Sequence, residues 1–214
     1  FIYVVLLVLV VLTAVAALGV PTANFLAILG AAGLAIALAL KDSLANFSSG
    51  VMLVFFRPFK IGDFIEAAGI TGTVESIGIF DTVVISPDNR VIIVPNSLVY
   101  GGTIVNTTRE PVRRIDLLIP ISYEDDVAKA KQVIRDVLDA DDRILEEPVA
   151  EVVVDALGTS SVNIAVRSWV NTRAFGPVRS DLLERIKSAL QDHGLSLPYT
   201  QQQVYIGRRA ASNE

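Results

Sequence analysis

Residues 29–50 read LGAAGLAIALALKDSLANFSSG, and the first twelve of them decide the fold. That dozen is apolar enough for a membrane, yet seven of the twelve are Gly or Ala. Gly is a poor helix former and Ala buries little surface, so neither is a natural choice for facing lipid. In lipid the tails are as apolar as Leu, so burial no longer drives helices together; close backbone approach through small side chains takes over. On a helix, Gly30, Gly33 and Ala37 fall along one stripe and Ala27, Ala31 and Ala35 along a neighbouring one. If identical helices ring an axis, one stripe can pack into the other stripe of the next copy. Leu34 and Leu38, four apart, share a third direction and point together, at the axis. The segment is built to touch copies of itself.

The surroundings agree. Phe1–Leu40 holds no charged residue, so all 18 basic and 23 acidic side chains of the 214 lie beyond it. A membrane span needs about 20 apolar residues. Pro21, with Gly19 and Asn24 nearby, divides the run into Phe1–Val20 and Thr22–Leu40, two spans joined by a tight turn. A cleaved signal peptide would need a basic start and a small-residue cleavage site, and would leave the second segment unexplained. The chain opens at Phe1 without a methionine, so a preceding segment with an earlier span is expected. Lys41, Arg57 and Lys60 follow the second span, while the turn carries no basic residue. The C-terminal part is therefore expected in the cytoplasm.

Beyond Lys41-Asp42, residues Leu44, Phe47, Val51, Val54 and Phe55 recur at helical spacing among Ser43, Asn46, Ser48 and Ser49. This predicts an amphipathic helix near the membrane surface over Ser43–Phe56, with Gly50 a bend point that costs about 1 kcal/mol against Ala. Arg57-Pro58 ends it. From Ile61 to Asn106 come five short runs, GDFIEA, TGTVESIG, DTVVIS, RVIIVP and GTIVN. Turns at Ala68-Gly69, Pro87-Asp88-Asn89 and Gly101-Gly102 separate them, and a small open barrel or sandwich is predicted. After Val112 the alternation of Ile115, Leu117, Ile119 and Ile121 predicts a strand. Val127, Ala130, Ile134, Val137 and Leu138 predict a helix, with Asp125 and Asp126 in its first turn. EVVVDAL and VNIAVRSWV form two strands about Gly158. Pro177 opens a second helix that Gly194 ends, and QQVYIG is a last strand. The order βαββαβ is that of a ferredoxin-like domain.

No catalytic site, cofactor or metal site is expected. His193 beside a helix end reads as a cap, and Asp139, Asp141, Asp142, Glu146 and Glu147 lack the spacing of a calcium loop, so they read as a solvated charge run. A GXXG at Gly30–Gly33 sits inside an apolar span and is no RNA-binding loop. The net charge of −5 likewise gives no hint of nucleic acid as a partner.

These motifs together resemble the bacterial small-conductance mechanosensitive channels of the MscS type. The matching residues are LGAAGLAIALAL (29–40), SLANFSSGVMLVFFRPFKIGDFI (43–65), GTVESIGIFDT (72–82), IIVPNSLVYGGTIVNTTREPVRR (92–114) and LERIKSALQDHGLSLPYTQQQV (183–204). The resemblance implies a fold of transmembrane helices with a pore-lining helix, an Sm-like β domain and a ferredoxin-like α/β domain, membrane α-helical plus cytoplasmic α+β, in a homo-oligomeric ring of seven. The implied divisions are 1–20 (a transmembrane helix, part of the sensor region), 21–56 (pore-lining and following amphipathic helix), 57–108 (Sm-like), 109–200 (ferredoxin-like) and 201–214 (strand and tail). Leu34 and Leu38 match the family's pore-constricting rings, and the C-terminal strands are implied to join in a small barrel. The family has Gly where this chain has Ala37 and Asp42, the second associated with a kink. Asp42 lacks that freedom but can cap, accepting from the amide of Leu44 or Ala45 to end one helix and start the next. Lys41 and Asp42 would set a basic ring beside an acidic one at the pore mouth. The implied function is a tension-gated channel of the bacterial inner membrane, not an enzyme, that releases ions and small solutes on hypo-osmotic shock. Its partners are copies of itself, membrane lipids and permeating ions. A ligand-opened channel and a non-conducting membrane anchor are the alternatives.

Overall fold

The computed structural model describes residues 2–19, 21–196 and 198. Residues 1–106 and 107–214 form separate compact units. The expected strand and tail over 201–214 lie outside the described residues.

The first unit begins with two helices, α1 (Ile2–Ala17) and α2 (Ala23–Phe56), joined through the turn at Gly19 and Pro21. The expected boundary at Asp42 does not occur. α2 runs on for 34 residues without a break, so Asp42 lies inside it and does not cap a second helix. The reason is local: between Gly33 and Gly50 the chain has neither Gly nor Pro, and Ala37, Leu38, Ala39, Leu40, Lys41, Leu44 and Ala45 are strong helix formers. The helix stops at Arg57, which takes a left-handed conformation (φ 49°) and donates its amide to the Leu53 carbonyl. Pro58 disfavours further helix at the residue before it.

Five strands follow: β1 (Phe64–Ala67), β2 (Ile70–Ile77), β3 (Asp81–Ile85), β4 (Val91–Pro95) and β5 (Ile104–Asn106), with a short helix α3 (Asn96–Tyr100) between the last two. They form one antiparallel sheet in the order β4-β3-β2-β1-β5. The β1–β2 hairpin turns on Ala68 and Gly69, both at positive φ (51° and 75°), the conformation that a two-residue hairpin loop of matching twist requires. Alternation sends Ile65, Ala67, Val74 and Val94 into a core that Leu53, Phe59 and Val99 complete. The last turns of α2 are thus part of the β domain's own core.

The second unit holds β6 (Val112–Ile121), α4 (Val127–Asp139), β7 (Glu151–Leu157), β8 (Val162–Asn171), a 3-10 turn at Thr172–Ala174 and α5 (Phe175–Asp192). The antiparallel order β6-β8-β7 is that of a split β-α-β arrangement. Ile115, Leu117, Ile119 and Ile121 pack with Ala130, Ile134 and Leu138 of α4 and with Val178, Leu182, Ile186 and Leu190 of α5. α4 is capped by Asp126, whose carboxylate accepts from the amides of Ala128 and Lys129. α5 starts two residues before Pro177, which sits where a helix has free amides anyway, so its missing N–H loses nothing. His193 caps the other end: its amide donates to the Ala189 carbonyl and its Nδ1 lies 2.8 Å from the same oxygen.

One acidic residue departs from the solvated-run reading. Asp141 is buried, and its carboxylate receives Arg143 at 2.8 Å and Arg185 at 2.7 Å, while Arg143 also pairs with Asp181. The Arg143 hydrogen bonds hold the Asp141 carboxyl down to about 2, from an ordinary 3.8, with Arg185 adding to the effect. A carboxyl depressed in the folded state stabilises it above the unfolded pKa, and that stability is lost as pH falls through the folded one. Asp141→Asn should therefore lower the melting temperature at pH 7, and the gap between it and the parent should close between about pH 4 and pH 2. Melting curves at pH 7, 4 and 2 measure this; a gap that persists unchanged at pH 2 excludes the charge as its source.

Candidate functional site

At about 1.5 Å per residue α2 is roughly 51 Å long, well beyond the ~30 Å of a bilayer's hydrocarbon. It is the one described helix that is long and apolar enough to cross a membrane, and none of its apolar stretch is buried within the chain. Successive side chains turn by about 100°. Leu34 and Leu38 therefore fall between the Gly30, Gly33, Ala37 stripe and the Ala31, Ala35 stripe, with Ala27, expected on the latter stripe, lying on the leucine side. Phe25, Leu29 and Ile36 occupy the opposite side, and Ile28 lies next to Ala35. Both leucines are about two-thirds exposed, at 63% and 64%. A Cβ added at Gly30 or Gly33 would meet nothing within 4 Å. One face thus has small residues on both flanks of a leucine row, and the other has bulky apolar ones. Lys41 continues on the leucine side just past the apolar stretch, with Asp42 beside the Ala35 stripe; both are exposed.

The far end of α2 is seated on the β domain through polar contacts that sequence reasoning missed. Asn96, fully buried at the start of α3, receives the Thr82 hydroxyl on its Oδ1 at 2.8 Å and donates from Nδ2 to the Gly78 carbonyl at 3.0 Å. Its backbone amide donates to the Phe80 carbonyl. The next amide, of Ser97, donates to Asn46 Oδ1 of α2 at 2.9 Å. One turn on, Gly50 is buried against this cluster. A Cβ there would stand 2.5 Å from Asn96 Nδ2 and 2.6 Å from the Ile79 carbonyl. Gly50 is thus not a bend in this structure; helix runs through it, and its missing side chain admits a neighbouring backbone. The only signals were Asn at 96 directly after Pro95, and one glycine in a helical pattern, which permits close packing as readily as bending.

Three family models match in succession. They are the mechanosensitive ion channel transmembrane helices 2/3 over residues 1–41, the mechanosensitive ion channel beta-domain over 42–109, and the MscS C-terminal domain over 115–197. The chain belongs to the MscS family of mechanosensitive ion channels. A small-conductance mechanosensitive channel of Edwardsiella ictaluri is 42% identical over 82% of this chain and 62% of its own length. An uncharacterised MscS family protein of Synechocystis is 39% identical over 95% and 69%. Among solved structures, MscS of Helicobacter pylori in its closed state superposes with a TM-score of 0.87 at 32% identity, over 97% of this chain and 82% of that one. MSL1 of Arabidopsis thaliana gives 0.77 at 25%, over 92% and 74%. The chain thus spans between three-fifths and seven-tenths of the two curated relatives. Its apolar helices, β domain and α/β domain are the parts of the MscS fold; α2 falls within the transmembrane-helix match up to residue 41 and within the beta-domain match beyond it.

Gly50→Ala tests the seating. Ala gains about 1 kcal/mol of helix propensity, but overpacking against a backbone carbonyl typically costs 1–3 kcal/mol. The variant should show faster amide hydrogen exchange in α3 and the last turns of α2, with α4 and α5 unchanged. Unaltered exchange around Asn96 would refute the seating.

Proposed function

We propose that this chain is one subunit of a mechanosensitive ion channel opened by membrane tension, which releases ions and small solutes on hypo-osmotic shock. The observation that carries the reading is the geometry of α2: a leucine row flanked by small residues on an apolar stretch that no described residue of its own chain buries. Small flanks let copies of α2 approach closely. The leucines between them then line the axis, where Leu34 and Leu38 form two constricting rings. A narrow leucine-lined constriction blocks ions by dewetting and needs no plug. Tension favours the conformer of larger area in the membrane plane, so rings that separate as the helices tilt apart open under stretch.

The subunits form a homo-oligomer, a heptamer by family resemblance, in the inner membrane of a bacterium, multi-pass, with the β and α/β domains in the cytoplasm. Lys41 and Asp42 ring the inner mouth with opposite charges. Of the two hinge positions, Asp42 is exposed, whereas Gly50 is packed against Asn96 and the Ile79 carbonyl. Bending during gating is therefore assigned to Asp42, where the helix leaves the membrane.

Suction on liposome patches holding only the purified full-length protein tests the function. Tension-evoked currents are expected; currents that need an added ligand, or silence under lytic tension, would overturn it. Leu38→Ser tests the gate. Burying a leucine is worth roughly 1.5–3 kcal/mol, and each copy loses a fraction of it, so a ring loses several kcal/mol. The variant should open at clearly lower tension, and an unchanged threshold would remove Leu38 from the gate.

A further inference from the structure

α2 carries only two charged residues, Lys41 and Asp42, side by side after forty uncharged positions. Both are exposed, and among the described residues neither has an ion pair or a side-chain hydrogen bond. Their own helix cannot supply one. Adjacent residues on a helix do not face each other, and partners lie three or four positions away. From Lys41 those positions hold Ala37, Leu38, Leu44 and Ala45; from Asp42 they hold Leu38, Ala39, Ala45 and Asn46. None is charged. The directions of the two are nevertheless specific. Successive residues turn by about 100°, so Lys41 lies between the leucine row and the Gly30, Gly33, Ala37 stripe. Asp42 lies on the other side of that row, within the Ala31, Ala35 stripe. Each small-residue side thus ends in a charge, and the signs are opposite.

Resting on the homo-oligomer reading above, we propose that Lys41 of each copy pairs with Asp42 of its neighbour, a belt of ion pairs that latches the closed ring. Rotational symmetry holds every copy at the same height, and the two residues differ by only about 1.5 Å along the helix. Where the glycine stripe of one copy packs into the alanine stripe of the next, Lys41 and Asp42 therefore meet at one level. Helix axes in close contact stand about 8 Å apart, within reach of the flexible lysine stem. Anionic lipid headgroups compete for Lys41 but offer nothing to Asp42. Both charges also lie away from the bulky face of Phe25, Leu29 and Ile36. Opening separates the copies and breaks the belt, so the pairs favour the closed state.

Opening tensions of the full-length protein in liposome patches test the latch. Lys41→Gln leaves a ring of unpaired carboxylates, and Asp42→Asn a ring of unpaired ammonium groups. Like charges repel, so each variant should open at lower tension than the parent. Lys41→Gln combined with Asp42→Asn removes attraction and repulsion together. Its threshold should lie between the parent's and those of the single variants. The exchange Lys41→Asp with Asp42→Lys rebuilds the pairing in reverse and should recover most of the parent threshold. Unchanged thresholds in the single variants, or shifts that add in the double, overturn the latch and leave the channel reading standing. So does an exchange variant that opens as easily as the single ones. The single and double variants decide the matter even where the exchange does not assemble. A parent without tension-evoked current overturns the channel reading and the latch with it.

Discussion

An apolar helical stretch that no described residue of its own chain buries is the constraint on which the rest of this protein depends. From Ala23 to Ala45 every residue of α2 is exposed in the single chain. In water such a surface would be unfavourable by about 25 cal/mol for each Å². Lipid removes that penalty but supplies no reason for Gly and Ala, since larger side chains would meet lipid as well. The small residues gain only when another backbone comes close, and the face that carries them differs from the bulky face behind. In the proposed assembly α2 is committed to two environments at once: a helix neighbour on either side of Leu34 and Leu38, and lipid or another span against Phe25 and Ile36.

That commitment would be useless for gating if α2 were free to rotate at its inner end. The β domain fixes it there. Leu53 is part of the domain's core, Gly50 lies against the Ile79 backbone, and Asn46 receives the Ser97 amide. Apolar burial alone fixes how deep a helix sits but tolerates some rotation. The hydrogen bond to Asn46 and the close approach at Gly50 fix rotation as well, because each fails if the helix turns by one residue. Asn96 holds the receiving surface together by bonding the β2–β3 connection and the start of β3 at three points, Gly78, Phe80 and Thr82. The direction in which the leucines point is thus set partly by a buried amide in another element.

Much of this was legible in the sequence, for identifiable reasons. Strand alternation with turn residues between runs placed all five strands of the β domain, because one face of each is buried and period-2 patterning is strict there. The order βαββ and the second helix of the α/β domain were readable from periodicity and from Asp126 at a helix start. What stayed hidden depended on partners distant in sequence. α3 is five residues long, too short to show a period, and exists because Asn96 finds Thr82, fourteen residues earlier. Asp141 resembled its solvated neighbours, since nothing near it announces Arg185, 44 positions on. Asp42 misled for the opposite reason. A residue type that caps well marks a boundary only when its neighbours disfavour helix, and here they favour it.

The continuity of α2 bears on how a bend could arise at all. Breaking a helix between Leu40 and Leu44 forfeits backbone hydrogen bonds, each worth about 0.5–1.5 kcal/mol net in water and more where water is scarce. With glycine at 42 the break would also be eased by backbone freedom; with aspartate it is not. Straight helix is accordingly the favoured state of the isolated subunit, and any bend must be imposed by forces the single chain lacks. In the proposed assembly those forces act at two ends: packing of the small-residue stripes in the membrane, and the seating of Gly50 and Asn46 on the β domain. Lys41 and Asp42 lie between these two fixed points, at the first polar positions after forty uncharged residues. There water can satisfy amides and carbonyls freed by bending, which lipid cannot do a turn earlier. A bend imposed on α2 is least costly at that level.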